Sequence, residues 1–125
     1  MSTQPLALII EDNEDQNLVF TTALTKAGYA TESIYDGVTA LDRLTKLIPA
    51  IIILDLHMPG INGGWLLREI RKDPHTANSC VIIVTADADF AEKLQSQADF
   101  TLIKPVSFSE LTKLASSLLD QLKTP

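Results

Sequence analysis

Apolar residues recur along this chain with two different periods, and the two alternate. Leu6-Ala7-Leu8-Ile9-Ile10 is a short continuous apolar run that stops abruptly at acids. Ala50-Ile51-Ile52-Ile53-Leu54 repeats the form and stops at Asp55, and Val81-Ile82-Ile83-Val84 does so again and stops at Thr85. Phe100-Thr101-Leu102-Ile103 is a weaker instance ending at Lys104, while Ala30 to Tyr35 alternates more, as a strand nearer an edge would. Runs this short, rich in β-branched residues and apolar on both faces, predict central strands of a parallel sheet. Between them the spacing becomes helical. Phe20, Ala23, Leu24 and Ala27 share one helix face, with Gly28 where a C-cap glycine belongs. Leu41, Leu44 and Leu47 or Ile48 predict a second helix, stopped by Pro49. Leu66, Leu67 and Ile70 predict a third, bounded by Pro74, and Phe90 with Leu94 a short fourth. The fifth has the longest stripe, Leu111, Leu114, Ala115, Leu118, Leu119 and Leu122. Ser107 and Glu110 have capping-box spacing at its start, and Pro105 helps end the strand before it.

Strand-helix alternation of this kind predicts an α/β fold: a doubly wound parallel sheet of (βα)5 form with helices on both faces and right-handed crossovers. The expected strand order is the flavodoxin-like 2-1-3-4-5, and ligands of such sheets bind beyond the carboxyl ends of the strands where the order reverses. Reading only those ends gives Glu11 and Asp12, then Asp55, then Thr85, then Lys104. The topology brings Asp12 beside Asp55, with Thr85 and Lys104 approaching from strands four and five. Crowded carboxylates repel one another, and a hard cation with oxygen ligands, Mg²⁺ above all, relieves that repulsion. Asp55 can then act as a nucleophile toward phosphorus, with Lys104 and the cation neutralising charge on the transferred group. Thr85 offers a hydroxyl to a phosphoryl oxygen, and backbone amides after Asp55 offer further donors.

Each of these residues has an ordinary reading on its own. Acids at 11, 12, 14 and 15 suit a helix N-terminus, Thr85 can open a turn, and Lys104 can be an exposed strand-end charge. Together, on one rim and with complementary chemistry, they form a specific set. Composition sharpens the picture. The chain has 125 residues, a net charge of -6 and a pI of about 4.7, which fits one domain and argues against direct nucleic-acid binding. Its longest apolar stretch is too short to cross a bilayer, and no signal segment opens it, so a cytoplasmic location with no membrane contact is expected. Cys80 is the only cysteine, and a small core residue is its expected role. Trp65 is expected to pack partly on the sheet, and His75, in a polar loop, carries no expected role.

The full pattern is Glu11-Asp12-Asn13, Asp55-Leu56-His57-Met58-Pro59-Gly60 with Asn62-Gly63, Thr85-Ala86 and Lys104-Pro105. It resembles the receiver domains of two-component response regulators, over the whole length from first strand to fifth helix. The resemblance implies that Asp55 takes a phosphoryl group from a phosphohistidine on a sensor histidine kinase or histidine phosphotransfer protein. It implies Mg²⁺ held by Asp12, Asp55 and the backbone carbonyl of His57, with Glu11 acting nearby, through water. Thr85, with Ala86, matches the switch position, Lys104 the lysine that pairs with the phosphoryl group, and Pro105 a proline after a cis peptide. His57 and Asp87 match positions that tune self-dephosphorylation. The resemblance further implies a signalling domain rather than an enzyme. Its output face would be the fourth helix, fifth strand and fifth helix, bordered by Leu102 and Lys104, and used by a downstream protein or a second copy. Residues 1–125 would be a single receiver domain without an output domain. One position departs from the family: Thr101 stands where an aromatic is usual, and the neighbouring Phe100 should point to the opposite side of the sheet. Rivals fare worse. A flavin carrier needs a phosphate cradle where this chain has Glu11 to Asp15, and a haloacid-dehalogenase-type phosphatase needs an Asp-x-Asp motif after the first strand. A receiver-like adaptor that is never phosphorylated remains, although such domains usually lack an acid or the lysine that is present here.

Overall fold

The computed structural model describes residues 4–123. In chain order its elements are β1 (Leu6–Ile10), α1 (Glu14–Ala27), β2 (Ala30–Ile34), α2 (Gly37–Leu44), β3 (Ile51–Asp55), α3 (Gly63–Lys72), β4 (Cys80–Thr85), α4 (Ala88–Leu94), β5 (Phe100–Ile103) and α5 (Phe108–Lys123). All strand pairs are parallel and the sheet order is β2-β1-β3-β4-β5, so β2 is an edge strand as expected.

Alternation of side chains along each strand divides the interior into two layers. Ala7, Ile9, Ile51, Ile53, Ile82 and Val84 point to one face and are covered by α1 through Phe20, Ala23 and Leu24 and by α5 through Leu111, Ala115 and Leu119. Leu8, Ile10, Ile52, Leu54, Val81 and Ile83 point to the other and are covered by α2, α3 and α4. That double covering is why the central strands are apolar on both faces until their last residues.

Every helix begins on a side-chain oxygen. Asn13, Asp36, Asn62 and Asp87 accept from the amides of Gln16, Thr39, Trp65 and Phe90, and Ser107 Oγ accepts from Glu110 at 3.0 Å. Because each helix follows a strand, these caps anchor the loops of the same sheet rim, each worth about 1 kcal/mol. The other rim shows equal economy at Gly28. Its φ of 115° closes α1, and a Cβ there would lie 2.6 Å from Leu119 of α5.

Several expectations are corrected in detail. Helix α2 stops at Leu44, short of Pro49, because Thr45 and Lys46 turn their amides onto Asp42 and Arg43 in tighter bonds. Leu47 still packs on the core, whereas Ile48 is exposed. Asp55 and Thr85 are the last residues of their strands rather than the first beyond them. Strand β2 ends at Ile34 and is half-buried along most of its length instead of alternating. Leu122 projects into solvent, so the α5 stripe is buried only as far as Leu119. Leu102 is partly buried, packed against the α1 and α5 layer. Trp65 belongs to neither core and is exposed, because α3 turns Leu66, Leu67 and Ile70 to the sheet.

Cys80 is partly buried against the α1 and α5 layer, and burial pushes its thiol up to about 11, aided by Asp99. Only the thiolate alkylates, so iodoacetamide at pH 8 should label Cys80 at least about tenfold more slowly than free cysteine, even after allowing for the higher nucleophilicity of a basic thiolate. Labelling followed by intact mass checks this, and a rate equal to that of free cysteine would contradict the assigned environment.

Candidate functional site at the carboxyl rim of the sheet

Register places the acids. Ile10 pairs with Leu54, so Glu11 and Asp55 follow one another across β1 and β3, and Asp55 in turn pairs with Val84. Asp55 has the facing of Ile51 and Ile53, so its carboxylate points to the α1 and α5 side. Glu11 and Asp55 are 1% and 4% exposed, and such burial of acids demands partners. Lys104, just past β5, supplies them: its Nζ is 2.8 Å from Glu11 Oε1 and 3.6 Å from Asp55 Oδ2. Backbone amides serve the remaining oxygens, Asn13 N–H donating to Glu11 Oε2 at 3.1 Å and His57 N–H to Asp55 Oδ1 at 3.2 Å. Burial pushes the Glu11 carboxyl up to about 7; Lys104 and the Asn13 amide oppose the rise, and the charge of Asp55 adds to it.

Asp12 is the most open of the acids. One carboxylate oxygen each from Glu11, Asp12 and Asp55 lies within 4.8 Å of the others, the spacing of a shared cation site. An all-oxygen donor set of this kind fits Mg²⁺.

Two features fix this geometry from outside the acids. Asn17, fully buried on α1, donates through Nδ2 to the carbonyls of Ile9, Glu11 and Ile34, tying the ends of β1 and β2 to the helix. Gly63 opens α3 directly against the loop after Asp55: a Cβ there would lie 2.6 Å from Leu56 Cα, and its amide bonds Leu56 O. With His57 and Asn62 bridged, the 56–62 loop closes on itself and holds the His57 backbone beside Asp55.

Thr85 is fully buried and shares the facing of Val81 and Ile83, toward α2, α3 and α4. Its Oγ1 accepts from Asp87 N–H at 3.1 Å, so the hydroxyl sits in the β4–α4 loop. Asp87 also caps α4 and lies with Oδ2 3.4 Å from His57 Nε2; the Phe90 amide and His57 hold its carboxyl below the ordinary range. Ala86 and Pro105 line a shallow groove with Lys104, Gln16, Val19 and Phe20, and the Lys104–Pro105 peptide is cis, as expected. Phe100 and Thr101 face opposite ways. Phe100 lies with Tyr29 and Leu118 at the far end of the sheet from the acids, and Thr101 is partly buried on the other face. His75 takes no part, its amide bonding Asp73.

Sequence reasoning assembled the acids, Thr85 and Lys104 but missed Asn17 and Phe90. Asn17 carried a weak signal, a polar residue three positions before Phe20 on the apolar face of α1. The 5.4 Å ring contact of Phe90 with His57 carried none.

The response regulator receiver domain family matches residues 7–116. The transcriptional regulatory protein HprR of Escherichia coli is 35% identical over 114 residues, which are 91% of this chain and 51% of that protein. The chain thus spans about half the length of this curated relative. Among solved structures, the chemotaxis response regulator CheY4 of Vibrio cholerae superposes with a TM-score of 0.84 at 23% identity, covering 93% of this chain and 99% of that one. The receiver domain of the sensor histidine kinase PA1611 from Pseudomonas aeruginosa does so with a TM-score of 0.83 at 24% identity, covering 95% and 99%. The two structures share the fold, and the family match identifies this chain as a member of the response-regulator receiver domains.

Proposed function

We propose that this chain accepts a phosphoryl group on Asp55 from a phosphohistidine of a sensor histidine kinase or histidine phosphotransfer protein, with Mg²⁺ as cofactor. The observation that carries this reading is the position of Asp55, buried at a strand end with an ammonium on one side and two further carboxylates on the other. Asp12 and Asp55 would ligate the cation with the His57 carbonyl, and Glu11 would act next to it. The PA1611 receiver domain has a magnesium ion coordinated in its active-site cleft. Mg²⁺ supplies charge neutralisation at a phosphoryl oxygen.

An Asp55 oxygen attacks phosphorus as the bond from phosphorus to the donor imidazole nitrogen breaks, and the electron pair stays on that nitrogen. Lys104 Nζ moves its contact from Glu11 toward the new phosphoryl oxygens, whose charge exceeds that of one carboxylate. Thr85 must swing its hydroxyl away from the Asp87 amide to donate to the same group, and that movement reaches α4 through the loop. The α4–β5–α5 face would then present a changed surface to a downstream protein or a second copy. Location in the cytoplasm, beside the kinase domain that supplies the group, fits this chemistry.

Acetyl phosphate, which needs no kinase, tests the reading. Intact mass should show one phosphoryl group per chain in the presence of Mg²⁺ and none after chelation. Failure to form the adduct, together with failure to bind beryllofluoride, would leave the unphosphorylated adaptor in its place.

A further inference from the structure

The start of α2 and the loop after β3 meet at a residue without a side chain. Gly37, the first residue of α2, is buried, and a Cβ built on it would lie 2.5 Å from Ile61 Cβ and 2.9 Å from Ile61 Cγ1. Ile61 therefore rests on the Gly37 backbone, and its side chain packs against the core roofed by α2, α3 and α4. The seat is firm. Asp36 caps α2 by accepting from the Thr39 amide and hydroxyl at 2.7 and 2.8 Å, and Arg43 forks onto Glu32 of β2 at 2.7 and 3.0 Å. Upstream of Asp36, the carbonyl of Ile34 accepts from the Glu11 amide at 3.0 Å and from Asn17 Nδ2 at 3.2 Å. The seat is thus tied to the loop that bears Glu11 and Asp12. What rests on it moves as one piece. Ile61 adjoins Asn62, which bridges to His57 and caps α3 through the Trp65 amide, and the His57 amide donates to Asp55 Oδ1 at 3.2 Å.

We propose that Ile61 is a positioning residue for the cation site, a strut that sets the loop bearing His57, and with it the Asp55 carboxylate, at a fixed distance from the acids after β1. The inference rests on the reading above that Asp12, Asp55 and the His57 carbonyl hold Mg²⁺. Mg²⁺ demands short bonds and nearly ideal octahedral geometry, whereas Ca²⁺ accepts longer bonds and a looser donor set. The strut therefore bears on the choice of ion as well as on affinity. Glycine makes the seat possible. A contact at 2.5 Å is far inside van der Waals range, and it falls on Cβ, at the root of the isoleucine, where no change of rotamer relieves it. A side chain at position 37 must therefore move backbone. Helix α2 is tied to β2, whereas at the tip of the loop a Cβ built on Gly60 would meet nothing within 4 Å. The loop is the part that shifts, and the bridge between His57 and Asn62 carries the shift to Asp55.

Titration with MgCl₂ and, separately, with CaCl₂, followed by amide NMR shifts, tests this and shows in the same spectra whether each variant is folded. Gly37→Ala should raise the Mg²⁺ dissociation constant about tenfold, as loss of support behind a metal ligand does, and the Ca²⁺ constant by less than about threefold. Alanine is the better helix former, so weaker binding would not come from a loss of α2. Ile61→Gly removes the strut and should weaken Mg²⁺ by at least about threefold. Adding Gly37→Ala to it should change nothing further, because no Cβ remains for the new methyl group to meet. Unchanged Mg²⁺ binding in either single variant, equal weakening of both ions in Gly37→Ala, or an equal effect of Gly37→Ala with and without Ile61 would overturn the inference and leave the cation site standing. An original chain that does not bind Mg²⁺ would overturn both.

Discussion

Asp55→Asn is expected to abolish the phosphoryl adduct altogether, lowering its rate of formation with acetyl phosphate by at least about a thousandfold, while the protein stays folded. An amide oxygen is a poor nucleophile and leaves no stable acyl phosphate, and no other described carboxylate combines burial with the Lys104 ammonium except Glu11. Glu11 is no substitute: burial pushes it up to about 7, its Oε1 already accepts from Lys104, and its other oxygen from the Asn13 amide. Stability should hold or rise. Replacing one of two adjacent buried acids removes a repulsion, and asparagine Oδ1 can still accept from the His57 amide. Mg²⁺ affinity should fall in the same variant, since one of three clustered carboxylates is gone. Intact mass and urea denaturation, measured side by side, separate the two effects. An adduct of ordinary yield on the Asp55→Asn variant would place the acceptor elsewhere.

The second large effect lies away from the site. Arg71, at the end of α3, donates to the carbonyls of Gln97, Ala77 and Ser79 at 2.7, 3.0 and 2.7 Å and pairs with Asp99 at 2.9 Å. One guanidinium thus stitches three segments: the last turn of α3, the loop into β4 and the connection from α4 into β5. Asp99 passes the link onward by accepting from the Val81 amide at 2.8 Å. Bonds from a charged donor are individually worth about 1.5–3 kcal/mol, but they share one side chain and water can reach part of the cluster. Arg71→Ala should therefore cost about 3 kcal/mol in urea denaturation, a large share of the stability of a domain this size. Lysine should recover only a minor part, because a compact ammonium cannot span four acceptors set in a fork. A loss below about 1 kcal/mol would mean that solvent replaces these bonds at little cost.

The contrast between the two sites explains what the sequence could and could not reveal. Asp55, Thr85 and Lys104 end apolar runs, and the ends of parallel strands must share a rim, so periodicity alone placed them together. The burial of Asp55 and Thr85 follows from their position on strands covered on both faces. Which side each faces was equally available, since Asp55 keeps the parity of Ile53 and Thr85 that of Ile83. Arg71 shows the opposite case. It looks like any basic residue in a last helical turn, and its acceptors are carbonyls, which every residue possesses and no sequence distinguishes. Trp65, expected to pack partly on the sheet, joins neither core layer, because the inward positions of α3 go to Leu66, Leu67 and Ile70. The end of α2 was blurred because Leu47 continues the helical period while Thr45 breaks the bonding.

The sheet separates the two halves of the site. Asp55 and its cationic partner belong to the layer roofed by α1 and α5, whereas the Thr85 hydroxyl belongs to the layer roofed by α2, α3 and α4. On the proposed reading, charge would arrive on one side of a wall of backbone and be announced on the other. Evolution can therefore redesign the two sides at different tempos. Substitutions in the layer of α1 and α5 and in the layer of α2, α3 and α4 meet different faces of the sheet. A chain divided in this way is suited to being rewired one connection at a time.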